Sequence, residues 1–238
     1  MSDLRRFFVD KISDTVVIEG EEFRHAVSVL RIREGEEIIL LDNTGVEYFA
    51  KISSIDKKSL TAKVYDKRNS QNEPKTEVAL IAGYLKGDKT ELVVQKAVEL
   101  GVKKIVVFSS EFSSAFINDN KLLRLNKVSQ EASKQCKRAI APKVVYKETF
   151  LEALEYVKDY KNKLFACEFA SENKADFSSL IGSTAIVVGS EGGFSKNEAD
   201  LALEKGFTTV YLGKRILRAE TASIALTAIV MHALKELE

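Results

Sequence analysis

The stretch TAIVVGSEGGFSKNE, Thr184 to Glu198, holds a run of small and β-branched residues, three glycines and a helix start. The run Thr184 to Val188 is strand-sized and has no polar alternation, as a strand buried on both faces should be. Ser195 and Glu198 have the S-x-x-E spacing of a capping box, which starts a helix at about Lys196. Gly189 to Phe194 therefore joins the carboxyl end of a strand to a helix, the location where open α/β sheets bind ligands. Gly189, Gly192 and Gly193 allow positive φ and close backbone approach, and Glu191 places an acceptor-only side chain among exposed amides. A bare strand-to-helix turn would also use glycine, so a second loop of the same kind matters. YLGKRILRAET, Tyr211 to Thr221, also follows a strand and precedes a helix, and it carries Gly213, Lys214, Arg215, Arg218 and Glu220. Two such loops in one domain point to a bound ligand.

Outward from these loops the pattern alternates strand and helix. EVALIAGYL, KKIVVFSS, KVVYKE, KLFACEF and TTVYLG read as strands, and KTELVVQKAVEL reads as a helix closed by Gly101. Such alternation implies a parallel sheet covered on both faces. The last segment, AETASIALTAIVMHALKELE, is apolar nearly all round until Lys235, so it is buried inside the domain or against a second subunit. Residues 1 to about 68 are different. TVVIEG, GEEIILLD, VEYFAKISSID and SLTAKVYD are short β-rich runs, with turn chemistry at Asn43-Thr44-Gly45. One helix, EEFRHAVSVLRI, interrupts them and closes near Gly35. This part reads as a small barrel or twisted sheet. DKRNSQNEPKT, Asp66 to Thr76, lacks apolar side chains apart from Pro74 and reads as a linker. The expected domains are residues 1–70 and 75–238.

The chain has 238 residues and a formal net charge of +1, so a nucleic-acid footprint has to be a local patch. Cys136 and Cys167 form no disulfide framework, which fits a reduced cytosolic setting. His25 and His232 are far apart, and nothing has metal-ligand spacing. The basic start MSDLRRFFVD is followed by no signal-peptide core, and no apolar stretch is long enough to span a membrane. The first loop is G-x-x-G-G and not the dinucleotide fingerprint. GYLKGDKT, Gly83 to Thr90, imitates a phosphate loop, but its glycines are one residue too close and Asp88 separates Gly87 from Lys89. NAD and ATP are both disfavoured. Between Lys121 and Lys147 stand eight basic residues against the single acid Glu131. Arg124, Lys127, Glu131, Lys134 and Arg138 fall at helical spacing on one face, with Val128, Ala132 and Ala139 able to face the sheet. Arg5, Arg6, Arg24, His25 and Arg31 offer a second patch. Two basic patches in a near-neutral chain point to nucleic acid.

RRFFVD, HAVSVLR, KGDKTELVVQKAVELGV, GSEGGFSKNE and YLGKRILRAETA, in that order along the chain, resemble the RsmE family. Those are bacterial methyltransferases that modify N3 of a uridine in small-subunit ribosomal RNA. The likeness runs from Arg5 to the carboxyl terminus. It implies an α/β, parallel-sheet SPOUT-type methyltransferase domain with a C-terminal trefoil knot, preceded by a small β-rich PUA-like barrel. The knot comes from the resemblance alone, since chains as a rule do not thread loops. It also implies S-adenosyl-L-methionine as donor, a homodimer, ribosomal RNA or the small ribosomal subunit as partner, and a cytoplasmic location. Onto the two loops it carries donor contacts at Gly189, Glu191, Gly192, Gly193, Leu212, Gly213, Ile216, Leu217 and Ala219. To the basic patches it adds Lys86, Lys134 and Lys137 as RNA contacts.

The donor is an electrophilic sulfonium, so the reaction needs no metal. The acceptor nitrogen must lose a proton, and a cation near the flanking uracil oxygens would stabilise the anion. Arg138 and Arg218 are the candidates, with Arg138 open between phosphate and base contact. Glu220 either accepts a proton, binds a donor group, or only complements the helix dipole. No residue is an obvious general base. Two other readings stay open: an RNA-binding protein that keeps the fold without catalysis, and a nucleotide-binding α/β enzyme acting on a small molecule. The chain departs from the family pattern at Ser190, where proline is usual and a looser loop is expected. It departs again at Cys136, where a small hydroxyl residue is commoner and a buried structural thiol is expected.

Overall fold

The computed structural model describes residues 4–112, 117–167 and 175–238. They fall into two compact units, residues 1–73 with 133–141 and residues 74–132 with 142–238.

The first unit is built on five strands: β1 (Arg5–Phe8), β2 (Thr15–Glu19), β3 (Glu37–Leu41), β4 (Val46–Ile55) and β5 (Ser59–Asn69). They lie in the order β1-β3-β4-β5-β2. Phe7, Val16, Ile18, Ile38, Leu40, Ala50, Ile52, Leu60 and Ala62 point to one face and form the core with Phe23, Ala26 and Ile32. Strand β1 pairs in parallel with β3. It escaped the sequence reading because RRFF is four residues long and half of it is arginine. The helix is shorter than expected. It runs as α1 (Gly20–Arg24), continues as a π-helical turn over His25–Val29, and ends well before Gly35 because Arg31 takes φ +53°. Strand β5 extends to Asn69, into the stretch read as linker, where Lys67, Arg68 and Asn69 complete the ladder with Tyr48, Glu47 and Val46.

Residues 133–141 pack with this unit, although they stand some sixty residues later in the chain than the expected boundary. Glu73 explains it: one carboxylate oxygen accepts the amides of Ala139 (2.8 Å) and Ile140 (3.0 Å). Ala139 is fully buried with Phe8, Ile39 and Leu41 on the sheet's outer face.

The second unit is a six-stranded, all-parallel sheet in the order β11-β9-β10-β6-β7-β8. Its strands are β6 (Val78–Gly83), β7 (Lys104–Phe108), β8 (Val144–Lys147), β9 (Asn162–Ala166), β10 (Thr184–Val188) and β11 (Thr208–Val210). Each coincides with a stretch read as a strand from the sequence. The helices are α2 (Lys89–Glu99), α3 (Asp119–Gln135), α4 (Phe150–Glu155), α5 (Lys196–Glu204) and α6 (Ala219–Ala233). Gly101 takes φ +95° just past α2, the expected left-handed cap. Side chains of α4 and α5 (Phe150, Ala153, Leu154, Ala202) pack with Ala79, Ile81, Val106, Phe165, Ala185 and Val187 of the sheet. Helix α6 packs on β6, β10 and α2 and buries Ala222, Leu226, Val230 and Met231, while Ile229 stays 39% exposed. Beyond α6, the Glu236 carboxylate accepts the amides of Lys75 and Thr76, which fixes the start of the unit.

Candidate functional site

The connection β6–α2–β7 runs to one side of the sheet and β10–α5–β11 to the other, while β6 and β10 are neighbours. This is a topological switch point, and the loops after these two strands flank it at the carboxyl edge. Contact there is close. A Cβ on Gly83, the last residue of β6, would lie 2.4 Å from the Ser190 nitrogen.

The glycine loop is held from several directions. Glu191 accepts the Lys86 amide (3.1 Å) and the Lys89 ammonium (3.1 Å). The buried Ser190 hydroxyl meets that of Ser110 at 2.9 Å, so the serine in place of proline supplies an anchor where a looser loop was expected. Ser195 and Glu198 form the predicted capping box, and the second Glu198 oxygen accepts the Glu111 amide (3.0 Å). Phe194 is buried among Phe108, Phe150 and Phe165, with 4.5 Å between its ring and that of Phe165.

The glycines have internal reasons. A Cβ on Gly189 would meet the Phe194 ring at 2.9 Å, and one on Gly192 would meet Phe112 at 2.6 Å. Gly193 takes φ +68°, closing a turn in which its amide donates to the Ser190 carbonyl (3.0 Å). Glu191, expected as an acceptor facing a ligand, is committed to Lys86 and Lys89. The GYLKGDKT segment, which fails as a phosphate loop, thus clamps the glycine loop. Nothing in its local pattern announces this, because its partner is 105 residues away.

Burial alone would raise the Glu191 carboxyl, but hydrogen bonds from its own amide, Lys89 and Lys86 outweigh that and hold it below the usual carboxylate range. A depressed folded pKa adds stability above the unfolded pKa and loses it as pH falls through the folded value. Both side chains are about one-third exposed, so the ion pair contributes at most about 1 kcal/mol. Glu191→Gln should therefore melt earlier than wild type at neutral pH, with the gap closing below about pH 4. Thermal melts from pH 3 to 7 test this; a gap that widens with acid contradicts it.

The second loop is open. Gly213 takes φ +97°, Ile216 is 88% exposed, and Leu212 and Leu217 are half-buried. Lys214, Arg215 and Arg218 are exposed and form no ion pair among the described residues. Ala219 is buried at the start of α6, and one carboxylate oxygen of the next residue, Glu220, is buried without a hydrogen-bond partner among the described residues. An acceptor left unpaired costs about 1–3 kcal/mol unless a ligand group fills the vacancy, which sets Glu220 apart from a plain first-turn acid.

Several expected RNA or catalytic side chains are already engaged. Arg138 lies past the end of α3, in the first unit, and is 3% exposed. Its guanidinium donates to Glu73 through Nε (3.2 Å) and Nη2 (3.1 Å), so it is a buried ion-pair member and not a free cation for uracil. Lys137 takes φ +67°, breaking the helical spacing that had put Arg138 on the basic face. Lys134 is bound to Glu22 and Arg6 to Glu47, with 9% and 7% of their side chains exposed. Arg5, Arg24, Arg31, Lys86 and Lys137 are exposed, and His25 is half-buried. Cys136 is half-exposed, not buried as expected. Among the described residues no cluster could hold a metal, and no helix is long and apolar enough to cross a membrane.

A family model described as RNA methyltransferase domain matches residues 71–231, and one described as RNA methyltransferase PUA domain matches residues 18–65. The chain is 31% identical to Ribosomal RNA small subunit methyltransferase E of Bacillus subtilis, over 95% of this chain and 96% of that one. The protein of the same name from Mesomycoplasma hyopneumoniae is 32% identical, over 93% and 96%. Ribosomal RNA small subunit methyltransferase E from Neisseria gonorrhoeae, crystallised bound to S-adenosyl methionine, superposes with a TM-score of 0.88 at 30% identity over 98% of both chains. Likeness of this extent covers both units and both loops at the sheet's carboxyl edge, and the chain therefore belongs to the RsmE family of small-subunit ribosomal RNA methyltransferases.

Proposed function

We propose that this protein transfers a methyl group from S-adenosyl-L-methionine to N3 of a uridine in small-subunit ribosomal RNA. The observation that carries the reading is the paired-loop architecture at the switch point, in a chain that follows its Neisseria gonorrhoeae relative almost end to end. The donor supplies an electrophilic methyl group on a sulfonium. The chain's own residues fit such a ligand at Glu220, whose unpaired buried oxygen can accept from an ammonium or amino group. Leu212, Gly213, Ile216 and Leu217 are exposed or half-buried, and with Gly189, Glu191, Gly192 and Gly193 they are the proposed donor contacts.

Arg218 is the cation for the reacting base. It is exposed, without an ion pair among the described residues and two residues before Glu220, so it can stabilise negative charge developing on the uracil oxygens as N3 loses its proton. Arg5, Arg24, Arg31 and Lys86 remain to hold phosphates. The same reading makes the chain a cytoplasmic homodimer with a trefoil knot in its second unit; the exposed Ile229 on α6 is an apolar contact for the partner.

Base mapping of small-subunit RNA from cells with and without the protein tests the reaction: identical maps at every uridine N3 would refute it. Arg218→Ala should lower the single-turnover rate on isolated small subunits by about 100-fold at saturating RNA and donor. An unchanged saturated rate would remove Arg218 from the chemistry.

A further inference from the structure

The outer face of the first unit's sheet is covered at one end, where Ala139 lies over Phe8, Ile39 and Leu41. Toward the middle of β4 and β5 it is open. Lys51 and Lys63 are direct cross-strand partners there, both exposed, and neither ammonium has an ion pair among the described residues. Like charges so opposed repel. The one neighbouring acid in that row is Glu37, opposite Lys51 on β3, which leaves one carboxylate for two ammonium groups. Beside them the ladder slips: Phe49 pairs with Asp66 and Ala50 with Val64, so Tyr65 is the extra residue of a β-bulge. Bulges re-aim side chains. Here the Tyr65 ring stands 56% exposed, with its centroid 6.4 Å from that of Phe49, and the Arg68 guanidinium lies 4.7 Å from the Phe49 ring centre. Glu37, Lys51, Ile52, Ser53, Lys63 and Tyr65 line one shallow groove.

We propose that this groove is a contact for single-stranded RNA, in which a base stacks on Tyr65 and an adjacent phosphate sits between Lys51 and Lys63. The proposal rests on the ribosomal RNA reading above and adds a surface separate from the Arg5, Arg24 and Arg31 patch. Its logic is charge and shape. An anion between the two lysines turns their repulsion into a shared attraction. An exposed aromatic ring flanked by cations on a sheet is how sequence-tolerant binders hold single strands. A protein partner would need a broader apolar patch than one tyrosine.

Fluorescence anisotropy with a short oligouridine tests it, alongside binding to isolated small subunits. Tyr65→Ala should weaken the oligonucleotide about tenfold, while Tyr65→Phe, which keeps the ring, should bind as wild type. Lys51→Ala with Lys63→Ala should weaken binding and flatten the salt dependence by about 0.7 for each phosphate that is no longer neutralised. That double variant should melt no earlier than wild type, since repulsion is relieved; a purely structural pair would melt earlier. Donor affinity, read by calorimetry, should not change in any of them. Wild-type affinity and salt slope in all variants would overturn the proposal. So would normal oligonucleotide binding with abolished small-subunit binding, which would assign the groove to a ribosomal protein. If wild type binds oligouridine through these residues but binds no S-adenosylmethionine, the groove stands and the methyltransferase reading fails.

Discussion

Glu73→Ala should cost about 3–5 kcal/mol of stability, the range for removing one partner of a buried ion pair. Glu73 serves four donors: Nε and Nη2 of Arg138 on one oxygen, and the amides of Ala139 and Ile140 on the other. Removing it takes a carboxylate from a guanidinium that is 3% exposed and leaves two amides searching for acceptors. Arg138→Ala should cost a similar amount from the other side of the pair. Replacing both with apolar residues of similar volume should recover part of the loss, because the charge is gone, but not all of it, because the two amides remain unpaired. Urea denaturation measures the series. The same variants decide the role of Arg138. If it positions residues 138–141, the saturated methylation rate of folded Arg138→Ala stays near wild type while its unfolding midpoint drops. An unchanged midpoint with a collapsed saturated rate would restore Arg138 to the chemistry.

Gly83→Ala should lower donor affinity by about 100-fold, the effect of misplacing a binding element by about 1 Å. The new Cβ would stand 2.4 Å from the Ser190 nitrogen and 2.8 Å from the Gly189 carbonyl carbon. Both are backbone atoms, and the loop that carries them is pinned by Phe194, Glu191 and the Ser190 hydroxyl. Neither side can yield cheaply, so β6 and the glycine loop must part at the switch point, with an overpacking cost of about 1–3 kcal/mol as well. Gly192→Ala is the comparison. Its Cβ would lie 2.6 Å from the Phe112 Cβ and 3.2 Å from the Phe112 carbonyl oxygen, which side-chain rotation does not move, so donor affinity should fall here too, by less than in Gly83→Ala because one contact and not two lies under 3.0 Å. Calorimetry with S-adenosylmethionine and thermal melts report the two effects separately. Donor affinity in Gly83→Ala equal to wild type would show that the close approach does not shape the donor site.

The elements that could be read in one dimension are those whose pattern is local. Continuous apolar runs marked the central strands β6 and β10, because a strand buried on both faces has no polar positions to hide it, and the strand–helix alternation marked the other four. Ser195 and Glu198 announced their capping box three residues apart, and Gly101 its cap, since both are contacts of one turn. Five motifs spread over both expected domains carried the resemblance to the family. What folding decided was which charges remain free. Arg138 and Lys134 belong to a basic stretch in sequence, yet carboxylates 65 and 112 residues away claim them. Glu191 looked like an open acceptor until Lys86 and Lys89 were brought against it from another strand's loop. Glu220 looked like an ordinary first-turn acid, and only packing left its oxygen buried and unpaired. Tyr65 shares the outward parity of Lys63 in its strand, but only the register slip, which sets Asp66 opposite Phe49, left it unpaired beside that ring. Secondary structure follows from periodicity over a few residues, whereas the availability of a charge or a ring depends on partners that only the folded chain delivers.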